Sequence, residues 1–86
     1  MSYFWPDGYL IAVKTDGQGC PYLFNWDWYN ATHEVWLIVD RWSVADLWSE
    51  EPEKRIYYFV VTETGLAAII FLDVPTQTWY MQWAYD

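Results

Sequence analysis

Eighty-six residues leave room for one domain, which buries only about 60–65 % of the surface its unfolded chain exposes. Twelve acidic residues against four basic ones give a net charge of −8, which argues against nucleic acid and anionic membrane surfaces as partners, because both reward Lys and Arg. The single cysteine, Cys20, excludes an intramolecular disulfide and points to a reducing compartment.

Residues 1–8 are expected as a loosely ordered N-terminal arm. A first strand covers Tyr9 to Thr15 and is ended by Asp16-Gly17-Gln18-Gly19, a hairpin signal because glycine accepts the positive φ that primed turns demand. Tyr22 to Tyr29 follows, with Tyr22, Phe24, Trp26 and Trp28 on one parity. Asn30-Ala31-Thr32 turns the chain into His33 to Trp42. Within it Val35-Trp36-Leu37-Ile38-Val39 is apolar on both parities, so this strand is covered on both faces or carries a bulge.

Between Ser43 and Lys54 the pattern changes. Ser43 and Asp46 resemble an N-capping pair, and Val44, Leu47 and Trp48 have helical spacing. An irregular loop with one helical turn is expected there, closed by Glu50-Glu51-Pro52. Arg55 to Thr64 reads as a long strand, Gly65 turns it into Leu66 to Asp73, and Val74-Pro75-Thr76-Gln77 leads to Thr78 to Tyr85. Six strands with short connections predict an all-β antiparallel meander. Curling it into a barrel-like sheet protects the edges and buries both apolar faces, with the 43–54 loop capping one end.

No basic segment followed by an apolar stretch opens the chain, and no apolar run approaches the roughly 18 residues of a membrane span. Neither a signal peptide nor a transmembrane segment is expected, so a natural chain of this kind would be cytoplasmic. Candidate chemistry is sparse. His33 and Cys20 are two soft ligands where a zinc site wants about four. Cys20 as a nucleophile needs an electropositive setting that this acidic chain does not offer. Glu50, Glu51 and Glu53 lack calcium-loop spacing, and paired-carboxylate hydrolysis needs a cleft that so small a domain rarely builds. Asn30-Ala31-Thr32 fits the N-glycosylation pattern but reads as a polar turn. Neither catalysis nor a cofactor or metal is expected.

Twenty rings (eight Trp, eight Tyr, four Phe) exceed what one small core can enclose. Phe24, Trp26, Ile38, Trp42, Tyr58, Val60, Phe71 and Trp79 are expected in the core. Trp28, Tyr29, Trp36, Leu47, Trp48 and Trp83 are candidates for exposure, where rigid rings supply contact area at small entropic cost. The alternative is that they seal the barrel ends or pair two copies of the chain.

Phe24-x-Trp26, His33-x-Val35, Ile38-Val39-Asp40-Arg41-Trp42, Trp48-Ser49-Glu50-Glu51-Pro52, Arg55-x-Tyr57-Tyr58, Gly65-Leu66, Asp73 and Trp79-Tyr80-x-Gln82-x-x-Tyr85-Asp86 together resemble a small bacterial domain family of unknown function, met in thermophiles and related bacteria. The resemblance covers most of the chain from Tyr9 onward. It implies a compact β domain and brings no catalytic residues. The departures are concentrated. The Arg-bearing turn of the family is here the longer Trp26-Asp27-Trp28-Tyr29-Asn30-Ala31-Thr32. Other polar or basic positions read Cys20, Trp36, Leu37, Ser43, Ala45, Leu47, Leu72 and Trp83. Apolar residues loaded onto a surface invite aggregation, whereas selection for a tight contact favours them. The resemblance therefore implies a natural thermostable scaffold whose surface was diversified, as in an engineered or selected binder, for binding a protein target. The expected contact face comprises Trp28, Tyr29, Trp36, Leu37, Leu47 and Trp83, with Ser43 and Ala45 at its margin. Its expected partner is a protein with an apolar patch and a basic rim, with weak self-association a further outcome. A carbohydrate-binding module and an unaltered bacterial domain are the rival readings.

Overall fold

The computed structural model describes residues 1–26, 31–44 and 54–86. Six strands follow one another: β1 (Ser2–Thr15), β2 (Pro21–Trp26), β3 (Ala31–Val44), β4 (Arg55–Thr62), β5 (Ala67–Asp73) and β6 (Thr78–Tyr85). Each pairs antiparallel with the next, and β1 also pairs with β6, so the meander closes into a barrel-like ring of hydrogen bonds. Closure gives β1 and β6 each a partner on the side where an open meander would leave an edge.

Residues 2–8, expected as a loose arm, instead form the first half of β1. Ser2, Tyr3 and Phe4 pair with Tyr85, Ala84 and Trp83, and the pairing resumes at Tyr9 opposite Met81. Burial explains the difference. Tyr3 and Trp5 meet Trp26 edge-on, with ring centroids 6.0 and 5.6 Å away. Rings placed so far from Trp26 in the chain carry no local signal of that contact.

The β1–β2 connection uses its glycines differently from the expected primed turn. Positive φ falls on Gly19 (83°), not on Gly17. Asp16 organises the loop instead: its carboxylate accepts the N–H groups of Gln18 at 2.8 Å and Cys20 at 3.0 Å. That is the usual competition of Asp side chains with backbone acceptors in turns.

The core holds Phe24, Trp26, Tyr58, Val60, Ile70, Trp79 and Met81, with Ala68 and Ala84. Five of the eight expected core residues thus lie in this cluster. Ile38 packs against it half-buried. Trp42 does not join it; the ring is 37 % exposed on the outside of the barrel. The reason is a pair of irregularities in β3, between Val35 and Leu37 and between Ile38 and Asp40. A bulge shifts alternation by one residue, so everything after it changes face. Ile38 points inward, but past Val39 the inward place goes to Arg41, whose guanidinium lies 5.8 Å from the Tyr58 ring centroid. The bulges also account for an apolar run on both parities, because Trp36 and Val39 are the extra residues. Phe71, expected in the core, is 1 % exposed but belongs to the outer row described next.

Candidate binding surface on the outer sheet face

Register sets the outward side chains of β3, β4, β5, β6 and β1 in rows. Trp42, Tyr57, Phe71, Tyr80 and Leu10 make one row. Asp40, Phe59, Ile69, Trp83 and Phe4 make the next, and Leu37, Val61, Ala67, Tyr85 and Ser2 a third. Asp40 is the one charged side chain in these rows. Arg55 and Asp73, paired across β4 and β5, bound the face at one end. At the other end Glu63 accepts the Glu34 N–H through Oε2 at 2.6 Å, and its own N–H donates to the Glu34 carbonyl.

The first row is a stack. Trp42 lies parallel to Tyr57 at 5.4 Å, Tyr57 is 5.1 Å from Phe71, and Phe71 is 5.2 Å from Tyr80. The rings cover one another's faces, and Arg55 lies over Phe71 at 4.8 Å while donating to the Tyr57 hydroxyl. This is how Tyr57 and Phe71 are buried as core residues while lying outside the inner cluster. In the second row Trp83 meets Phe59 edge-on at 5.9 Å and stacks on Tyr85 at 6.2 Å. Phe4, Phe59, Ile69, Gln82 and Trp83 line a cavity of about 280 Å³ there. Gln82 is the additional residue where pairing shifts between Ile69 and Ile70, and that shift turns Trp83 outward after the inward Met81.

Of the residues expected to make contact, Leu37 and Trp83 share this face, with β4 and β5 between them. Leu37 is 58 % exposed, and Trp83 is half-buried against Phe59. Trp36 is 71 % exposed at a bulge beside the face. Ser43 is exposed but alternates off it, because it pairs with Ile56, which packs toward the core. Trp28, Tyr29, Ala45 and Leu47, together with Trp48 and the helical turn expected around them, lie outside the described residues. Sequence reasoning missed Phe4, Leu10, Phe59, Ile69 and Tyr85. Phe4 was hidden in the supposed arm, and β4 and β5 are apolar on both parities, so alternation does not separate their faces.

His33 occupies a second location, at one end of the barrel. It is buried, stacks on Phe24 at 5.3 Å, and among the described residues neither ring nitrogen has a hydrogen-bond partner. It lines a cavity of about 260 Å³ with Ala31, Thr64, Leu66 and Asp86. Burial holds its pKa below the ordinary 6.5, and the Glu63 carboxylate opposes that only in part. A lowered folded pKa means that the unfolded chain takes up the proton first as pH falls. Stability is therefore complete above pH 6.5 and declines as the pH falls from there toward the folded value. Denaturant midpoints measured at pH 7.5 and 5.5 should show this loss in the wild type, and His33→Leu should flatten it.

Cys20 is half-buried immediately before β2. Among the described residues no group of three or more His, Cys, Asp or Glu side chains gathers to hold a metal ion. No helix among them is long and apolar enough to cross a membrane. No family model, no curated protein and no solved structure matches this chain.

Proposed function

We propose that this chain is a non-catalytic protein-binding domain whose contact surface is the apolar outer face of β3–β4–β5–β6–β1. The observation that carries the reading is the exposure of Leu37, Trp42, Phe4, Leu10 and Tyr85 on a domain that already has a separate, complete core. A continuous apolar area rimmed by charge is what a protein interface presents before it is covered. The departures from the resembled family support the same reading, as a natural scaffold altered and selected for binding. Leu37 and Trp83, two of those departures, stand on this face.

A carbohydrate platform finds less support. Sugar stacking needs an open ring face, and the rings of the first row turn their faces to one another. The test is a protein-array survey with the purified domain beside a Leu37→Lys/Trp83→Arg variant of matched melting temperature. Partners retained by the wild type should lose about 2 kcal/mol or more with the variant, since central anchors carry most of an interface's energy. Retention of the same partners at equal affinity by the variant sinks the proposal. So does a wild type that sediments as a dimer through this face and binds nothing else.

A further inference from the structure

We infer that the cavity between Phe4, Phe59, Ile69, Gln82 and Trp83 is the anchor pocket of this face, and that it takes one aliphatic side chain from a protein segment carrying Lys or Arg beside it. This rests on the protein-binding reading above and names the partner's chemistry. At about 280 Å³ the cavity falls just under the size usual for drug-like ligands and holds one branched side chain with room to spare. Its walls carry no charge, and the Gln82 amide is its one polar side chain, so an apolar group enters it. Phe4 forms the outer wall at 64 % exposure, which leaves a way in from solvent.

Charge sets the rest of the partner. Asp40 is the register neighbour of Phe59, so its carboxylate stands one strand from the cavity wall, roughly 5 Å in backbone spacing. Arg41, next to Asp40 in the chain, donates its backbone N–H to the Asp40 carboxylate at 2.8 Å and turns its guanidinium to the inner Tyr58 ring. Arg55 lies two rows from Phe59, over the Phe71 ring. Along β4 the Glu63 carboxylate and the Arg55 guanidinium lie equally far from Phe59, two rows away on opposite sides, so Asp40 sets the charge beside the pocket. A cation flanking the anchored side chain on the β3 side thus meets the Asp40 carboxylate, on a chain of net charge −8. A second copy of this chain is disfavoured by the same charges, since each copy would bring its own Asp40 to the contact.

Two capped peptides distinguish these terms: acetyl-Lys-Ser-Leu-Ser-Lys-amide and acetyl-Glu-Ser-Leu-Ser-Glu-amide. Each is titrated into the intact nitrogen-labelled chain while the indole N–H resonances are followed, with Trp83→Phe assigning the one at the pocket. The lysine peptide should shift the Trp83 signal saturably and bind roughly three- to tenfold tighter than the glutamate peptide. Asp40→Asn should narrow that ratio, and Phe4→Ser, used at a temperature where its melt shows it fully folded, should weaken both peptides. Equal affinity for the two peptides, a static Trp83 signal, or undiminished binding by Phe4→Ser overturns the inference. If the lysine peptide shifts the Trp36 signal instead, the pocket assignment fails while the protein-binding reading stands. If Trp83 responds as expected but the array survey finds no face-dependent partner, that broader reading fails and the pocket stands.

Discussion

Replacing Trp26 by Ala should lower the unfolding free energy by about 3–5 kcal/mol, the range for truncating a large buried ring. Trp26 has no exposed surface. It meets Tyr3 and Trp5 edge-on, and the His33 ring lies 6.4 Å away. The ring therefore joins the first half of β1 to β2 and β3. Each kcal/mol corresponds to about 4–8 °C in melting temperature for a domain of this size. A thermal melt followed by near-ultraviolet circular dichroism reads the loss directly. The residues of β1 before the bulge should lose amide-exchange protection first, because Tyr3 and Trp5 would face a void in place of a ring. A fall of under about 1 kcal/mol would contradict the placement of Tyr3 and Trp5 against this side chain.

Gly8→Ala should cost about 2–4 kcal/mol, from two sources that a second variant separates. Gly8 has φ of 88°, and a Cβ built there would stand 2.8 Å from the Tyr80 Cβ and 2.9 Å from the Phe71 Cζ. The Tyr80 contact is with an atom fixed to the β6 backbone, so no side-chain rotation relieves it. Phe71 is itself held between Tyr57 and Tyr80. Gly65 has nearly the same φ, 86°, with open space around the missing Cβ. Gly65→Ala should therefore cost only the backbone part, about 1 kcal/mol. Chemical denaturation of both variants checks the difference. Equal losses would mean that the Phe71–Tyr80 stack does not press on the β1 bulge. A large Gly8 effect would also loosen the binding face, since the stack and the bulge share atoms in contact.

The strand pattern was legible because its signals are local. β5 and β6 begin and end within a residue of where β-branched runs, Gly65 and Val74-Pro75-Thr76-Gln77 place them. The meander and its closure follow from short connections and from edges that need covering. Phe24, Trp26, Tyr58, Val60 and Trp79 were identifiable as core because they share a parity with other apolar residues of their runs. Trp42 was misplaced for a specific reason. Parity counting assumes unbroken alternation, and the shift between Ile38 and Asp40 exchanges the faces of every later residue in β3. The same kind of shift at Gln82 decides that Trp83 faces outward.

Composition alone determined that rings exceed the capacity of one small core and that the surface is acidic, since both follow from counting residues. Which rings remain outside was decided by tertiary structure. Phe4, Leu10, Phe59, Ile69 and Tyr85 come together with Leu37 and Trp83 through pairings between strands remote in sequence. Pairing shifts in β3 and β6 set the direction of Leu37 and Trp83, and a bulge is a compromise between two strands that neither strand's residues express alone. The barrel's closure then draws the first residues of the chain against the last, turning an expected loose arm into one wall of the proposed pocket.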